Sequence, residues 1–432
     1  MTKILLINPH SRGVYEVLKS SAPTYPPLGL CYIAAVLEKG GHEVKIIDMA
    51  VEDMTELEVI KQAKQYSPDI IGLSGATANI ECSYSLARQL KDIALIVIGG
   101  VHATALPSEA IQYANVVVRG EGEHTFLDIA DGKDIKEIQG ITYKRNDVVI
   151  NNPDREPVDN LDDLPFPARH LVPIRKYYYL GKKSLGISNI VMSRGCQFNC
   201  TFCNKKIFGY KVRQRSVENK FEEIKQLVET YGTKEIHISD DTFNNDRDNI
   251  MSLWKLLIKE KIDVKIHPSN GMRVDKVDEE QFILMKKAGF TGVVFGVESG
   301  NQEILNNIRK GTTLQQIRTA FKLAHKVNFD EIWGTFIFGL KGETIQTAKN
   351  TLKFAMELNP TIAKFHILVP YPGTEDYRRL KSEGRITVKS WNDYKHFSKP
   401  TFNPEGMTRE KLSKIYDSAN KTYLFRPRSI FN

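Results

Sequence analysis

Three cysteines stand close together in the run Met192-Ser193-Arg194-Gly195-Cys196-Gln197-Phe198-Asn199-Cys200-Thr201-Phe202-Cys203. A cubane iron-sulfur cluster ordinarily takes four thiolates, so a [4Fe-4S] cluster held by Cys196, Cys200 and Cys203 would keep one iron open to another ligand. Zinc is the main rival metal. Four-coordinate zinc needs a further Cys or His nearby, and the next histidine, His237, is far along the chain inside a strand pattern. The other two cysteines, Cys31 and Cys82, fall on predicted helices and read as small buried hydrophobes. Five cysteines so arranged do not make a disulfide framework and suit a reducing compartment, so the cytoplasm is the expected address.

The elements that must position this cluster form two series. At 432 residues, the chain suits two domains with a core each. The composition, 41% hydrophobic and 26% charged, is that of a globular protein, and no apolar run reaches the length of a membrane-spanning helix. Residues 1–9 read as a first strand rather than a signal peptide, because the apolar stretch is short and lacks a small-residue cleavage site. The net charge of +8 is spread over 60 basic and 52 acidic residues without a long block of one sign. That balance favours an anionic ligand without pointing to nucleic acid, and no aromatic-basic stacking module is readable.

Up to residue 130, short apolar runs (Ile4 to Ile7, Glu43 to Ile47, Ile70 to Leu73, Leu95 to Ile98, Val116 to Val118) alternate with helical patterns, the first from Leu28 to Lys39. This order predicts a doubly wound parallel sheet over residues 1–150, a Rossmann-like α/β domain. Ligands of such sheets sit beyond the strand carboxyl ends. The residues predicted there are Asn8 and Pro9, Ser74 to Thr77, Gly99 to His102, and Gly120 to Glu123. Glycine permits close approach of backbone to ligand, although it also ends strands for steric reasons.

Residues 151–186 break this pattern with Pro153, Pro157, Pro165, Pro167 and Pro173 and the cluster Tyr177-Tyr178-Tyr179, which reads as an ordered linker. The tyrosines would either line a substrate channel or pack the linker. A second series follows over residues 187–385, with strand runs at Ile190 to Met192, Glu235 to Ser239, Val264 to His267, Gly292 to Val297, Trp333 to Phe338 and Phe365 to Val369. Amphipathic helices between them, such as Lys220 to Tyr231, make six β/α units, a partial TIM-type barrel with function at the strand C-termini. Residues 386–432 are expected to be a short helical C-terminal segment.

The Cys-x3-Cys-x2-Cys spacing, with the aromatic Phe202 before its last cysteine, closely resembles the signature of the radical S-adenosylmethionine superfamily. The resemblance implies that the open iron chelates the amino and carboxylate groups of S-adenosylmethionine, whose reductive cleavage gives a 5′-deoxyadenosyl radical. It extends through strand-end positions in Ser239-Asp240-Asp241-Thr242, Asn270, Arg273, Gly296-Val297-Glu298-Ser299-Gly300, Gly339-Leu340-Lys341-Gly342-Glu343-Thr344 and Pro370-Tyr371-Pro372-Gly373-Thr374. It implies cofactor contacts at Phe202, Asp240, Asn270, Arg273, Glu298 and Ser299. Glu298 and Ser299 suit ribose hydroxyls or an amino group. Adjacent strand residues point to opposite faces, so only one of Asp240 and Asp241 can face the interior. Asp240 is the one expected to hold the methionine ammonium. Lys341 departs from the family's usual proline and removes a turn-stiffening residue.

Pro26-Pro27-Leu28-Gly29-Leu30, Gly99-Gly100-Val101-His102-Ala103-Thr104 and Gly120-Glu121-Gly122-Glu123 resemble the cobalamin-binding domain fused to a large class of these enzymes, including magnesium-protoporphyrin ester cyclases and methyltransferases acting on carbon or phosphorus. The resemblance covers about residues 1–400. It implies cobalamin contacts at Asn8, Pro9, Ser74, Thr77, Gly99, Gly100, His102, Glu121 and Gly122. The Asp-x-His-x-x-Gly loop of cobalamin-dependent synthases and mutases is absent. Asn8-Pro9-His10-Ser11-Arg12-Gly13 stands there instead, and His10 lacks its usual orienting carboxylate. His102 is expected to reach the cofactor tail or to cap its loop.

The implied activity is a cobalamin-dependent radical methyltransferase acting on an unactivated carbon, or phosphorus, with methylcobalamin as methyl donor. The alternatives are a non-methylating oxidative cyclase or ring-rearranging enzyme, and a non-catalytic corrinoid or iron-sulfur binding protein. The expected partners are a small-molecule substrate and an external electron donor such as flavodoxin or ferredoxin.

Overall fold

The computed structural model describes residues 1–10, 24–178, 186–394 and 400–426. Tyr179, and the Ser11-Arg12-Gly13 stretch after His10, lie outside the described residues. The first half is a seven-stranded sheet of β1 (Lys3–Asn8), β2 (Glu43–Asp48), β3 (Ile70–Ser74), β4 (Leu95–Gly99), β5 (Val116–Val118), β6 (Ile141–Arg145) and β7 (Val148–Asn151), in the order β2-β1-β3-β4-β5-β6-β7. The first five strands are parallel. Alternation along β1 splits its side chains between two helical layers. Ile4 and Leu6 pack with Leu30, Ala34 and Phe126, whereas Leu5 and Ile7 pack with Val59, Ile80 and Leu90. The chain passes from β1 to β2 on one side and returns across β1 to β3 on the other. That reversal opens a crevice at the carboxyl ends of β1 and β3.

The sheet ends in an antiparallel hairpin, β6 and β7, that the strand-helix alternation did not predict. Asn146 and Asp147 form its turn at φ of 50° and 60°. A two-residue turn of left-handed conformers matches strand twist, and Asn and Asp tolerate it best after glycine.

The second half contains β8 (Ile187–Ile190), β9 (Ser193–Arg194), β10 (Arg213–Gln214), β11 (Glu235–Ile238), β12 (Lys265–Pro268), β13 (Gly292–Glu298), β14 (Glu331–Phe338) and β15 (Ile362–Ile367). Two parallel three-stranded sheets, β12-β11-β8 and β13-β14-β15, are joined by single bridges of Ile266 with Phe290 and Met272 with Phe295. The result is six parallel strands in chain order, a partial barrel. Ile236, Ile238, Ile266, Phe336, Phe338 and Phe365 face outward into the core formed with the surrounding helices. The first strand ends earlier than the sequence predicted. After Ile190 the chain turns and pairs β9 with β10 in an antiparallel ladder, because Asp240 captures the Met192 N–H (2.7 Å) and the Ser193 hydroxyl (2.5 Å).

The proline-rich segment packs between the two halves. Tyr177 is fully buried and donates to Asp48 Oδ2 at 2.9 Å, so this tyrosine packs the linker. Arg169 donates to the Asn189 carbonyl (2.7 Å) and pairs with Glu223 Oε1 (2.6 Å), whose other oxygen takes Arg215. Glu223 lies on the helix Val217–Glu229 and is buried with both arginines. Burial works against its charge, but Arg215 and Arg169 hold its carboxyl below the usual range. Cys31 is fully buried and Cys82 half-buried. The C-terminal helix Arg409–Leu424 seats Leu412, Ala419 and Tyr423 on the barrel core. Among the described residues, no helix is long and apolar enough to cross a membrane.

Replacing Glu223 by Ala leaves two guanidinium groups buried without a counter-charge and should cost about 3–5 kcal/mol, measured by urea unfolding. The Glu343 carboxyl, in the loop after β14, is pushed up to about 8 by burial, although the Gly339 and Leu340 N–H groups pull it down. Its folded pKa lies above the ordinary 4.5, so the folded state binds the extra proton and stability falls as pH rises between those values. Glu343→Gln should flatten this slope in thermal melts across that range.

Candidate functional site

The cysteine loop begins directly after β9. Gly195 sits at φ of 89°, where a side chain would place its Cβ 2.2 Å from the Lys211 carbonyl, so only glycine lets the chain turn into the loop. Cys196 is buried with its sulfur 3.5 Å from the Thr242 hydroxyl, Cys200 is half-buried and Cys203 is exposed. Thr201 pins the middle of the loop. Its hydroxyl donates to Asp376 Oδ2 (2.8 Å), its N–H to the Ile308 carbonyl (3.1 Å), and its carbonyl accepts from Glu375 and Asp376 (3.1 and 3.2 Å). Phe202 packs on the barrel core.

Burial pushes the thiols of Cys200 and Cys203 up, and a metal reverses that preference by binding the thiolate. Lys205 stands beside Cys203 and Cys196; burial opposes its charge, yet their proximity raises its pKa. Among the described residues, no three His, Cys, Asp or Glu side chains converge on a single metal ion. The donor set of three thiols with an adjacent ammonium fits an anionic iron-sulfur cluster with three protein ligands.

The carboxyl ends of the barrel strands surround this loop. Asp240 is buried, bonded to Met192 and Ser193, and raised to about 6 by burial. It holds the strand that feeds the loop, and the cavity is lined instead by Asp241. The alternation of β11 already contained this answer, since Ile236 and Ile238 share the outward face with Asp240 while His237 and Ser239 share a face with Asp241. Asn270 donates to the carbonyls of Ser239 (2.8 Å) and Asp240 (3.2 Å).

Arg273 has its donors taken by Asp275 and the carbonyls of Lys310 and Gly311, and its guanidinium lies 3.6 Å from the Phe198 ring centre. It therefore braces the cysteine loop through a cation–π contact. Glu298 has a left-handed backbone, φ 65°, at a bulge in β13, and its carboxylate pairs with Lys310 at 2.6 Å. Both charges act on Cys200. A strained residue at a bulge re-aims a side chain. Ser299 is fully buried, and its hydroxyl meets Thr351 (3.3 Å) and accepts from the Asn301 N–H (3.2 Å). The structure thus places Ser299 behind Glu298 as a turn residue.

A cavity of about 540 Å³ opens between the first sheet and the cysteine loop. Of the expected corrin contacts, Asn8, Ser74, Gly99, Gly100, Glu121 and Gly122 line it, and Arg194, Phe208 and Asp241 close it from the barrel side. A Cβ at Gly29 or Gly120 would meet nothing within 4 Å, and one at Gly99 only Val118 at 3.7 Å, so the glycines leave an open cradle for a bulky ligand. Pro9, Thr77 and His102 do not line it. The Pro9 carbonyl accepts from Asn79 (3.1 Å). His102 is buried, with Nδ1 3.1 Å from the Thr77 hydroxyl, Nε2 3.5 Å from Glu109 and its ring centre 4.7 Å from that of Trp391. It anchors the loop after β4 from behind.

Glu121, at the cavity wall, also belongs to a buried charge cluster. It takes Arg213 in a two-pronged pair at 2.7 and 3.0 Å and lies 3.3 Å from Arg194, which bonds Glu123 at 2.6 Å. All four side chains are at most 5% exposed. Arg194 immediately precedes the loop glycine, so the glycine-rich turn after β5 is bolted to the strand that carries the cysteines. The sequence reading missed Arg194, Arg213, Lys205 and Lys310. The two loop-flanking arginines opposite an acidic Gly-Glu-Gly-Glu turn were the available signal.

The chain matches the Radical SAM superfamily over residues 190–355 and the B12 binding domain over residues 17–130. An uncharacterized methyltransferase of Pyrococcus horikoshii is 35% identical over 437 residues, covering 99% of this chain and 93% of that protein. An anaerobic magnesium-protoporphyrin IX monomethyl ester cyclase of Rubrivivax gelatinosus is 28% identical over 441 residues, covering 98% of this chain and 77% of that protein. Among solved structures, the cobalamin-dependent S-adenosylmethionine radical enzyme OxsB with aqua-cobalamin bound has the same fold, with a TM-score of 0.78 at 19% identity over 98% of this chain and 67% of that chain. With the cysteine loop, the glycine cradle and the partial barrel in place, the chain belongs to the cobalamin-binding radical S-adenosylmethionine enzymes, whose cofactors are a [4Fe-4S] cluster, S-adenosylmethionine and cobalamin.

Proposed function

We propose that this enzyme methylates an unactivated carbon, or phosphorus, centre of a small molecule. The observation that carries the reading is the shared cavity, lined on one side by the glycine cradle of the first sheet and on the other by Arg194, Phe208 and Asp241 next to the cysteine loop. When bound, the cluster and S-adenosylmethionine supply a radical that removes a substrate hydrogen, and the cobalamin supplies a methyl group. Cys196, Cys200 and Cys203 hold the cluster. Asp241 and Glu298 offer carboxylates to the ammonium and ribose of S-adenosylmethionine, while Asp240, Asn270, Arg273 and Ser299 keep the strand ends in place. Asn8, Ser74, Gly99, Gly100 and Gly122 form the cobalamin cradle. In this division, residues 1–150 carry the corrin, 151–186 the linker, 187–385 the radical chemistry and 386–432 a C-terminal extension that meets both halves. The electron comes from an external donor such as flavodoxin or ferredoxin, and the five free cysteines suit the cytoplasm.

The similarity to a cyclase over nearly the whole chain favours oxidative cyclisation as the second reading. Products separate the two. Anaerobically reconstituted protein turning over its substrate should yield both S-adenosylhomocysteine and 5′-deoxyadenosine if methyl is transferred, whereas oxidation without methylation yields only the latter. The Cys196→Ala, Cys200→Ala, Cys203→Ala triple variant should lose the cluster absorption and all 5′-deoxyadenosine formation; full retention of both would sink the assignment. Glu121→Ala strips the buried arginines of one counter-charge, so it should retain substoichiometric cobalamin after gel filtration and reconstitute less cluster. Wild-type loading of both would show that the pair of domains is held by other contacts.

A further inference from the structure

The cysteine loop borders a second cavity. It measures about 390 Å³, is lined by Cys200, Cys203, Lys205, Lys206, Tyr210 and Arg378 among others, and shares no lining residue with the cavity beside the glycine cradle. After Cys203 the chain divides its side chains between the two. Asn204, Ile207 and Phe208 line the cradle side, whereas Lys205, Lys206 and Tyr210 line the other. The loop after β15 completes the second cavity and is held to the cysteine loop by Asn204, whose Nδ2 donates to the Pro372 carbonyl at 3.1 Å. Exposure rises along the triad, from buried Cys196 through half-buried Cys200 to exposed Cys203. Of the three, Cys200 and Cys203 line this cavity and none lines the cradle side, so the triad meets solvent here.

The rim of this cavity is positive. Lys206 and Arg378 are exposed and form no ion pair among the described residues; the Arg378 guanidinium donates to the Gly373 carbonyl at 3.0 Å. Lys205 adds a third cation, and the carboxylate in the lining, Glu375, is taken by Arg309. Tyr210 is 57% exposed, so most of its ring is uncovered beside these charges. Cations without counter-ions steer an acidic protein toward the surface that carries them. An exposed ring among them supplies apolar contact once the encounter is made. The concave shape suits a carrier whose redox group projects from its own surface. A flavin carrier presents the dimethylbenzene edge of its ring, an apolar wedge that fills a recess with a tyrosine at its mouth, whereas a cluster lying beneath a carrier's surface has nothing to insert.

We propose that this face is the docking surface for an acidic flavin-bearing carrier protein, with Lys206 and Arg378 pairing with its carboxylates and the flavin edge entering the cavity beside Tyr210 and Cys203. One electron passes from the reduced flavin, which is oxidised by one electron, to the oxidised cluster, which is reduced by one, and no proton crosses the interface. The inference rests on the reading of the cysteine loop as a cluster supplied with electrons from outside. It adds the class of carrier and the residues that receive it. Electron delivery and methyl transfer then use opposite sides of one loop, so the carrier docks without opening the cavity beside the cradle.

Contacts of this kind are small and transient, so rates report them best. Anaerobic stopped-flow mixing of the cofactor-loaded enzyme with reduced flavodoxin reads cluster reduction directly, without substrate. The wild-type rate constant should fall steeply as ionic strength rises. The Lys206→Glu, Arg378→Glu double variant should be slower by about tenfold or more at low salt and nearly insensitive to salt, while reduction by photogenerated deazariboflavin radical, small and uncharged, stays at the wild-type rate. Tyr210→Ala should slow flavodoxin several-fold at every salt concentration and leave the salt slope unchanged. A wild-type rate independent of ionic strength overturns the proposal whatever the variants do, and so does an undiminished flavodoxin rate in the double variant. Faster reduction by a ferredoxin of equal net charge removes the flavin carrier. Salt-dependent reduction by flavodoxin in an enzyme forming no S-adenosylhomocysteine leaves the docking surface standing and removes methyl transfer alone.

Discussion

The buried charge cluster of Glu121, Glu123, Arg194 and Arg213 is the constraint on which the rest of the site depends. Its carboxylates come from the turn after β5 and its guanidinium groups from the short ladder of β9 and β10 that frames the cysteine loop. Charges withdrawn from water hold only as a matched set, because removal of one partner leaves the others without compensation. The cluster therefore tolerates one relative placement of the two halves. Burial alone would weaken the charge of Arg194, and Glu123 and Glu121 more than restore it, so its pKa is raised. Its guanidinium also stacks between Tyr32 and Phe208. The cavity beside the glycine cradle thus has Arg194 and Phe208, which flank the cysteine loop, in its opposite wall.

A second buried set reinforces this placement from the far side of the linker. Arg169, Arg215 and Glu223 tie the proline-rich segment to the first barrel helix, and Asn189 of β8 donates to the Pro26 carbonyl at 3.2 Å. The C-terminal extension adds a third tie, since Trp391 donates to Glu109 at 2.7 Å beneath the loop that carries Gly100 and His102. Three polar junctions at separate points hold two hydrophobic cores that share few apolar contacts. Directional bonds, unlike apolar contact, specify orientation as well as proximity.

Inside the barrel, the period of two along each strand separates stability from chemistry. Outward residues such as Ile238, Phe336 and Phe365 make the core, and inward ones such as His237, Trp333 and Lys364 are polar or aromatic. The same alternation decides which of two neighbouring aspartates faces the cavity. Strain collects where the chemistry needs a side chain re-aimed: at the bulge of β13, Glu298 turns left-handed toward Lys310, and Gly296 stays small because a Cβ there would come within 2.6 Å of the Glu298 carboxylate.

The sequence by itself determined the two alternating series, the cysteine triad and the glycine turns, because spacing along a strand or loop is a local property. It also contained the hairpin turn at Asn146-Asp147, the face shared by His237, Ser239 and Asp241, and the acidic turn facing the loop arginines, though these emerge only when alternation and charge are followed from end to end. What the tertiary structure alone decided is which polar residues are used up by the protein. Asp240, Arg273 and Ser299 looked like ligand groups by type and position, yet each is bonded to a residue distant in the chain. Hydrogen-bond capacity is finite and is spent on whichever partner the fold brings near, and no spacing in the sequence records that partner.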